Sequence, residues 1–316
     1  MRPNGKVAAV LLLVAFGATG CWKRGEAPQT KAQEARDSSQ AKPVAAPGTF
    51  DGKDEEGFGD DTTAKISGPV SFADAEAAYQ TKNYSEAAKL FEHYAGRRPN
   101  NAWGHFMLGL SAWKGGDLSK AEEAFEKALS IDPNHVKSLV NLSRVLIDQN
   151  RIDDALVKLT HAVDIDPNST DVQRLLGRAY QAKGKSGEAV DAYRRAIALD
   201  AQDAWSMNNL GLLFLGQQRA DEALPLLAKA VELRKDVPAF YNNLGMALEH
   251  TGRFVAAAEA YRGALTADSG YGKAQKNLAR VEAVKGDREE PFDLEATAQR
   301  SVEDPQISGD ETTAGR

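Results

Sequence analysis

The stretch that decides the fold is Ala128–Ser169, ALSIDPNHVKSLVNLSRVLIDQNRIDDALVKLTHAVDIDPNS. It contains the phrase Ile-Asp-Pro-Asn twice, and an Arg-Pro-Asn precedes it upstream. Pro99, Pro133 and Pro167 fall 34 residues apart. Extending the frame reaches Ala201, Lys235 and Ser269, where proline is absent but the surrounding pattern continues. Within each unit Leu-Gly recurs as Leu108-Gly109, Leu176-Gly177, Leu210-Gly211 and Leu244-Gly245, with Leu142-Ser143 as a variant. Twelve residues after each small residue stands Ala121, Ala155, Ala189, Ala223 or Ala257. A large side chain follows four further on (Phe125, Leu159, Tyr193, Leu227, Tyr261), then Ala128, Ala162, Ala196, Ala230 or Ala264.

Each unit reads as two amphipathic helices around a short polar turn, such as Lys114–Asp117 (KGGD) or Ala182–Lys185 (AKGK). Small residues let the helices approach, the large residue fills the space between units, and proline stops the second helix. Pro225 is placed in the first turn of its helix, where a missing N–H costs little. The pattern resembles the tetratricopeptide repeat family, for which a period of this length is the sequence signature. The expected fold is all-α: a right-handed α-solenoid of about six helix-turn-helix repeats over residues 71–285, plus a C-terminal capping helix at about Tyr271 to Val284. The first unit is degenerate, with most of its match in Tyr84–Ala95 (YSEAAKLFEHYA).

Outside the repeats the composition changes. Arg2 and Lys6 precede an apolar run, Val7 to Phe16, and the small residues Gly17 to Gly20 lead to Cys21, the only cysteine. This is the layout of a secretory signal peptide over residues 1–20, too short to span a bilayer. Ala18-Thr19-Gly20-Cys21 resembles a bacterial lipobox, with Ala18 where Leu is usual. The resemblance implies lipid attachment, palmitate included, at Cys21. Trp22 at the next position, in place of Asp, implies the outer membrane, with the folded part facing the periplasm. Residues 21–70 read as a lipidated N-terminus and flexible linker, with too few bulky apolar residues to offset ordering entropy. Such a linker reaches ~35–45 Å on average. Residues 286–316 carry nine acidic and three basic side chains and read as an acidic, disordered tail. Phe292 and Leu294 within it suggest a segment that occupies the groove in cis.

The formal net charge of −6 lies in the tails, because residues 71–285 hold 27 charges of each sign. No basic excess favours a nucleic-acid partner. The five histidines show no metal-ligand spacing, and no P-loop, dinucleotide fingerprint or nucleophile elbow occurs. The chain is therefore not expected to be an enzyme or to carry a metal or cofactor. Function is expected on the surface.

In the resembled family the first helix of each unit lines a concave groove. Helical spacing brings to it Trp103, Phe106, Leu110 and Trp113, then Lys137, Asn141 and Arg144, then Arg174 and Arg178. Trp205, Asn209, Asn243, Lys273 and Asn277 follow. Asn141, Asn209, Asn243 and Asn277 share one position in their units and resemble an asparagine ladder that holds extended peptides through amide hydrogen bonds. The alternative reading satisfies those amides on the neighbouring helix. Likewise the Trp103–Trp113 stripe reads either as a binding patch or as core against the first unit. Lys137 to Asn141 resembles half of a carboxylate clamp, from which Leu175 and Asn277 depart.

Taken whole, the architecture resembles pilotin-type lipoproteins of type IV pilus biogenesis, which implies a scaffold aiding assembly of a secretin subunit into its multimer. Adaptors for peptidoglycan-modifying enzymes, for gliding or secretion machinery, and glycan-export scaffolds share the same layout.

Overall fold

The computed structural model describes residues 70–284 and 291–303, with side chains through residue 300. The signal segment, Cys21 and the linker lie outside the described residues. Six helix pairs follow one another: α1 (Phe72–Gln80) with α2 (Tyr84–Arg97), α3 (Ala102–Lys114) with α4 (Leu118–Ile131), and α5 (Val136–Asp148) with α6 (Ile152–Ile165). Then come α7 (Thr170–Ala182) with α8 (Ser186–Leu199), α9 (Ala204–Gly216) with α10 (Ala220–Leu233), and α11 (Pro238–His250) with α12 (Phe254–Ala267). A single helix α13 (Gly272–Glu282) closes the stack, and α14 (Leu294–Glu303) follows it. The protein is an all-α repeat solenoid.

Local chemistry sets the turns. Between the helices of each pair one residue takes the left-handed conformation, at Lys82, Gly116, Asn150, Gly184, Gln218 and Gly252, again every 34 residues. Glycine fills three of these positions without the strain a Cβ adds. Between pairs, Asp132, Asp166, Asp200 and Asp268 each end a second helix and accept the amide two residues on, at 2.8–3.2 Å. This aspartate turn explains why the period outlives the proline: Asp200 and Asp268 make the same bond without one. In the fifth pair the equivalent of Asp200 is Arg234, which instead pairs with Asp236 at 2.8 Å.

The recurring small and large residues meet inside each pair. A Cβ at Gly177 would lie 2.5 Å from the Tyr193 ring, and one at Gly245 would lie 2.5 Å from Tyr261. Tyr193, Tyr261, Phe91 and Phe125 are fully buried. In the third pair Ser143 replaces the glycine, and its hydroxyl donates to the Leu139 carbonyl at 2.7 Å. Successive first helices touch one another from α3 through α13, so they line the inner side of the stack.

Two expectations are corrected at the C-terminal end. Pro225 is the sixth residue of α10, not part of its first turn, because α10 starts at Ala220 in step with the other second helices. The tail is not structureless throughout, since residues 294–303 form α14, which packs along α10. As α10 is a second helix, Phe292 and Leu294 dock on the outer side and do not enter the inner groove. The reason lies in α10 itself. Pro225 and Ala228 are buried there, whereas their counterparts Glu123, Val157, Asp191 and Glu259, and Glu126, Thr160 and Arg262, are exposed. This apolar outer stripe gives Ala298, also fully buried, a surface to pack on.

Candidate binding face

The inner face is built from first helices, whose side chains recur with the 34-residue period. The N-terminal zone is aromatic. Trp103 is 40% exposed, its ring 5.0 Å from that of Phe106. Lys137 places its ammonium 5.0 Å from the Trp103 ring. His135 stands edge-on to Phe106 at 5.2 Å and to Trp103 at 6.0 Å, with a ring nitrogen 2.7 Å from the Ser138 hydroxyl. Burial pushes the His135 pKa down, the neighbouring Asp132 opposes that, and Lys137 reinforces it. Trp113 is half-buried beneath two cations, Lys114 at 4.8 Å and Arg144 at 5.5 Å. The stripe divides: Phe106 joins the core, with Leu110 and Trp113 packed at its edge, while Trp103 is exposed.

The middle zone is ionic. Arg174 donates to Asp203 at 2.7 Å and also pairs with Asp171. Arg178 reaches Asp148 at 3.3 Å, and the Trp113 indole donates to the same carboxylate at 3.5 Å. The Asp203 side chain is 3% exposed and further held by the Ser206 hydroxyl at 2.5 Å. The arginines expected here are thus matched by Asp148, Asp171 and Asp203, which the sequence pattern alone does not pick out. A signal exists for one of them: Asp171 shares its unit position with Trp103, Lys137 and Trp205. Arg144 differs from its neighbours. It donates to Asn141 at 3.3 Å, its nearest carboxylate oxygen, on Asp171, is 3.9 Å away, and burial depresses its pKa, Asp171 opposing and Arg174 and Arg178 adding to that effect.

The C-terminal zone carries amides. Asn243 donates to Asn208 at 2.8 Å and Asn277 to Asn242 at 2.9 Å, each across a unit boundary. Asn209 is buried, and Asn141 donates to the Lys137 carbonyl at 2.8 Å. Asn243 and Asn277 therefore each fasten one unit to the next, while the bond of Asn141 stays within its own helix. Trp205 remains 37% exposed, edge-on to Phe240 at 4.9 Å. Lys273 is exposed at the end of the row. Arg280 bonds Glu249 and Asn277, and Glu249 also accepts from Tyr261, whose phenol is pushed up by burial. Of the expected site residues, Trp103, Lys137, Trp205 and Lys273 are exposed, the three arginines are partly so, and Phe106 and Asn209 are withdrawn.

Tetratricopeptide repeat signatures match residues 72–136, 112–178, 177–218 and 208–272, together spanning the helix pairs. No curated protein matches the chain. Among solved structures it is similar to a thermophilic TPR protein of Thermus thermophilus, with a TM-score of 0.52 at 22% identity, covering 58% of this chain and 100% of that one. It is also similar to a tetratricopeptide repeat protein of Parabacteroides merdae, at TM-score 0.57 and 12% identity over 66% of this chain and 81% of that one. A chain of the Cut9–Hcn1 hetero-tetramer of the APC/C superposes at TM-score 0.60 with 16% identity, over 66% of this chain and 41% of that one. At these identities the likeness is one of fold. The chain belongs to the tetratricopeptide repeat family, a fold suited to binding protein or peptide partners.

Proposed function

We propose that the protein is a lipid-tethered scaffold that holds a partner protein by an extended segment laid along its inner face. One observation carries this reading. Trp103, Lys137, Asp171, Trp205 and Lys273 occupy the same unit position on first helices and all are exposed, the row being interrupted on α11 by the half-buried Ala239. Positions that build the stack keep the same size class from unit to unit, small or large and apolar, whereas this one changes chemistry. A row of exposed side chains with aromatic, cationic and anionic members suits the reading of a defined ligand sequence.

The tether rests on residues 1–22. A basic start, an apolar run and Cys21 support lipidation, and two or three acyl chains anchor stably where one does not. Trp22 favours the outer membrane, with the solenoid facing the periplasm. The combination of lipobox and six repeats favours a secretin subunit as partner, in the manner of pilotin-type lipoproteins. The scaffold acts by binding and does no chemistry of its own.

A crosslinked pull-down from native membranes tests both halves. Cys21→Ser should leave the membrane fraction. The intact protein should retain a secretin subunit, and Trp103→Ala/Trp205→Ala should lose it. Peptidoglycan hydrolases in its place would reassign the partner. A partner kept by the double variant would move the interface off the inner face.

A further inference from the structure

Arg144 stands out among the inner-face cations. Arg174 and Arg178 each have a carboxylate oxygen within 3.3 Å, and Arg174 has two, whereas the ion pair of Arg144 with Asp171 is stretched to 3.9 Å. The Arg144 side chain keeps only 23% of its surface open, yet its one hydrogen bond among the described residues goes to the neutral Asn141. A guanidinium carries five N–H donors and is costly to bury without an anion. The Arg144 guanidinium carbon lies 5.5 Å from the centre of the Trp113 ring. The nearest anion, Asp171, is 54% exposed and hydrogen-bonded to Arg174, not to Arg144.

This arrangement holds a cation in place for an anion that the chain itself supplies only weakly. Resting on the inner-face reading, we propose that Arg144 receives a carboxylate side chain of the bound segment, and that Asp171 is an internal anion that the incoming carboxylate displaces. Arg174 tolerates the exchange because buried Asp203 continues to neutralise it. The partner segment is therefore acidic at the position that reaches the third and fourth helix pairs. It is apolar or aromatic next to this, where Trp103 and Trp113 lie. Lys137 and Lys114, each over one of those rings, add to the attraction. Arg144 lies outside the Lys137–Asn141 pair that resembles a carboxylate clamp.

The test uses the full chain with two capped peptides, tetraglutamate and tetraglutamine, titrated while the arginine side-chain N–H resonances are followed by NMR. Asp171→Asn removes the competing charge and keeps the side chain's shape. It should tighten tetraglutamate binding by about fivefold, the scale of one exposed charge interaction, with no change for tetraglutamine. Arg144→Gln added to it should abolish the gain. The assignment is overturned if Asp171→Asn gives no gain, gives an equal gain for tetraglutamine, or keeps its gain without Arg144. Thermal unfolding of each variant separates loss of fold from loss of binding. Partner loss from Trp103→Ala/Trp205→Ala without any carboxylate effect sinks the Arg144 assignment alone, whereas a partner retained by that variant sinks the inner-face reading.

Discussion

At the residue scale, the contact between Gly177 and Tyr193 shows how the sequence pattern becomes structure. The ring fills the space a Cβ would need, 2.5 Å away. Gly177→Ala should lower stability by roughly 1–3 kcal/mol, as overpacking does, read as a lower urea midpoint with unchanged slope. A Cβ at Gly187 would meet nothing within 4 Å, so Gly187→Ala is the control and should not lower the midpoint. His135 gives a pH prediction. Its folded pKa is depressed chiefly by burial, with Lys137 adding to this and Asp132 opposing it. The unfolded chain therefore takes up the proton first as pH falls. Its stabilising contribution is full above the unfolded value, about 6.5, and is lost as pH drops through the folded one. NMR titration should place the His135 midpoint below the ordinary histidine value of about 6.5; a midpoint at or above it would contradict the packing between Trp103 and Phe106. Residue chemistry of this kind was partly legible. The small and large partners repeat in the sequence, whereas Asp148 and Asp203 gain their meaning only when arginines 30 and 29 residues away are brought beside them.

At the element scale, α14 and its bed on α10 were hidden for a physical reason. Phe292 and Leu294 lie among acidic residues, and a ten-residue helix lacks the length to stand alone. What holds it is the outer stripe of α10, visible in the sequence as Pro225 and Ala228 at positions that are mostly polar in the other pairs. Deleting residues 291–316 should expose that stripe, lower the melting temperature and increase binding of an apolar dye. Because α14 lies on a second helix, the deletion should leave peptide affinity on the inner face unchanged within about twofold. A clear gain in affinity would restore the idea of a tail that competes for the groove. The helix pairs themselves were readable almost in full, since the second helices end two residues before each repeated proline position.

At the scale of the whole molecule, stability is shared unevenly along the stack. Ala75 is the one buried side chain of α1, while α9 and α10 bury most of theirs. In a stack where each unit leans on its neighbours, the ends open first. Amide hydrogen exchange should be fastest in α1 and slowest in α9 to α11. Uniform protection would show that the solenoid unfolds as a single cooperative block. The charge balance of the repeats also acquires a structural basis. Arg174 and Arg178 meet Asp203 and Asp148 across unit boundaries, and the asparagines fasten one another in the same way. Much of the recurring polar chemistry in the groove positions therefore holds the superhelix in register, and the exposed row at one unit position is the part proposed to meet a ligand.

The most direct measurement of the central claim is site-specific photocrosslinking in native membranes. A photoreactive side chain is placed in turn at Lys137 and Lys273 on the inner row, and at Val157, 67% exposed on the outer side of α6. The account predicts one partner crosslinked from both inner positions and none from Val157. Crosslinking from Val157 alone would place the interface on the outer face and contradict the account.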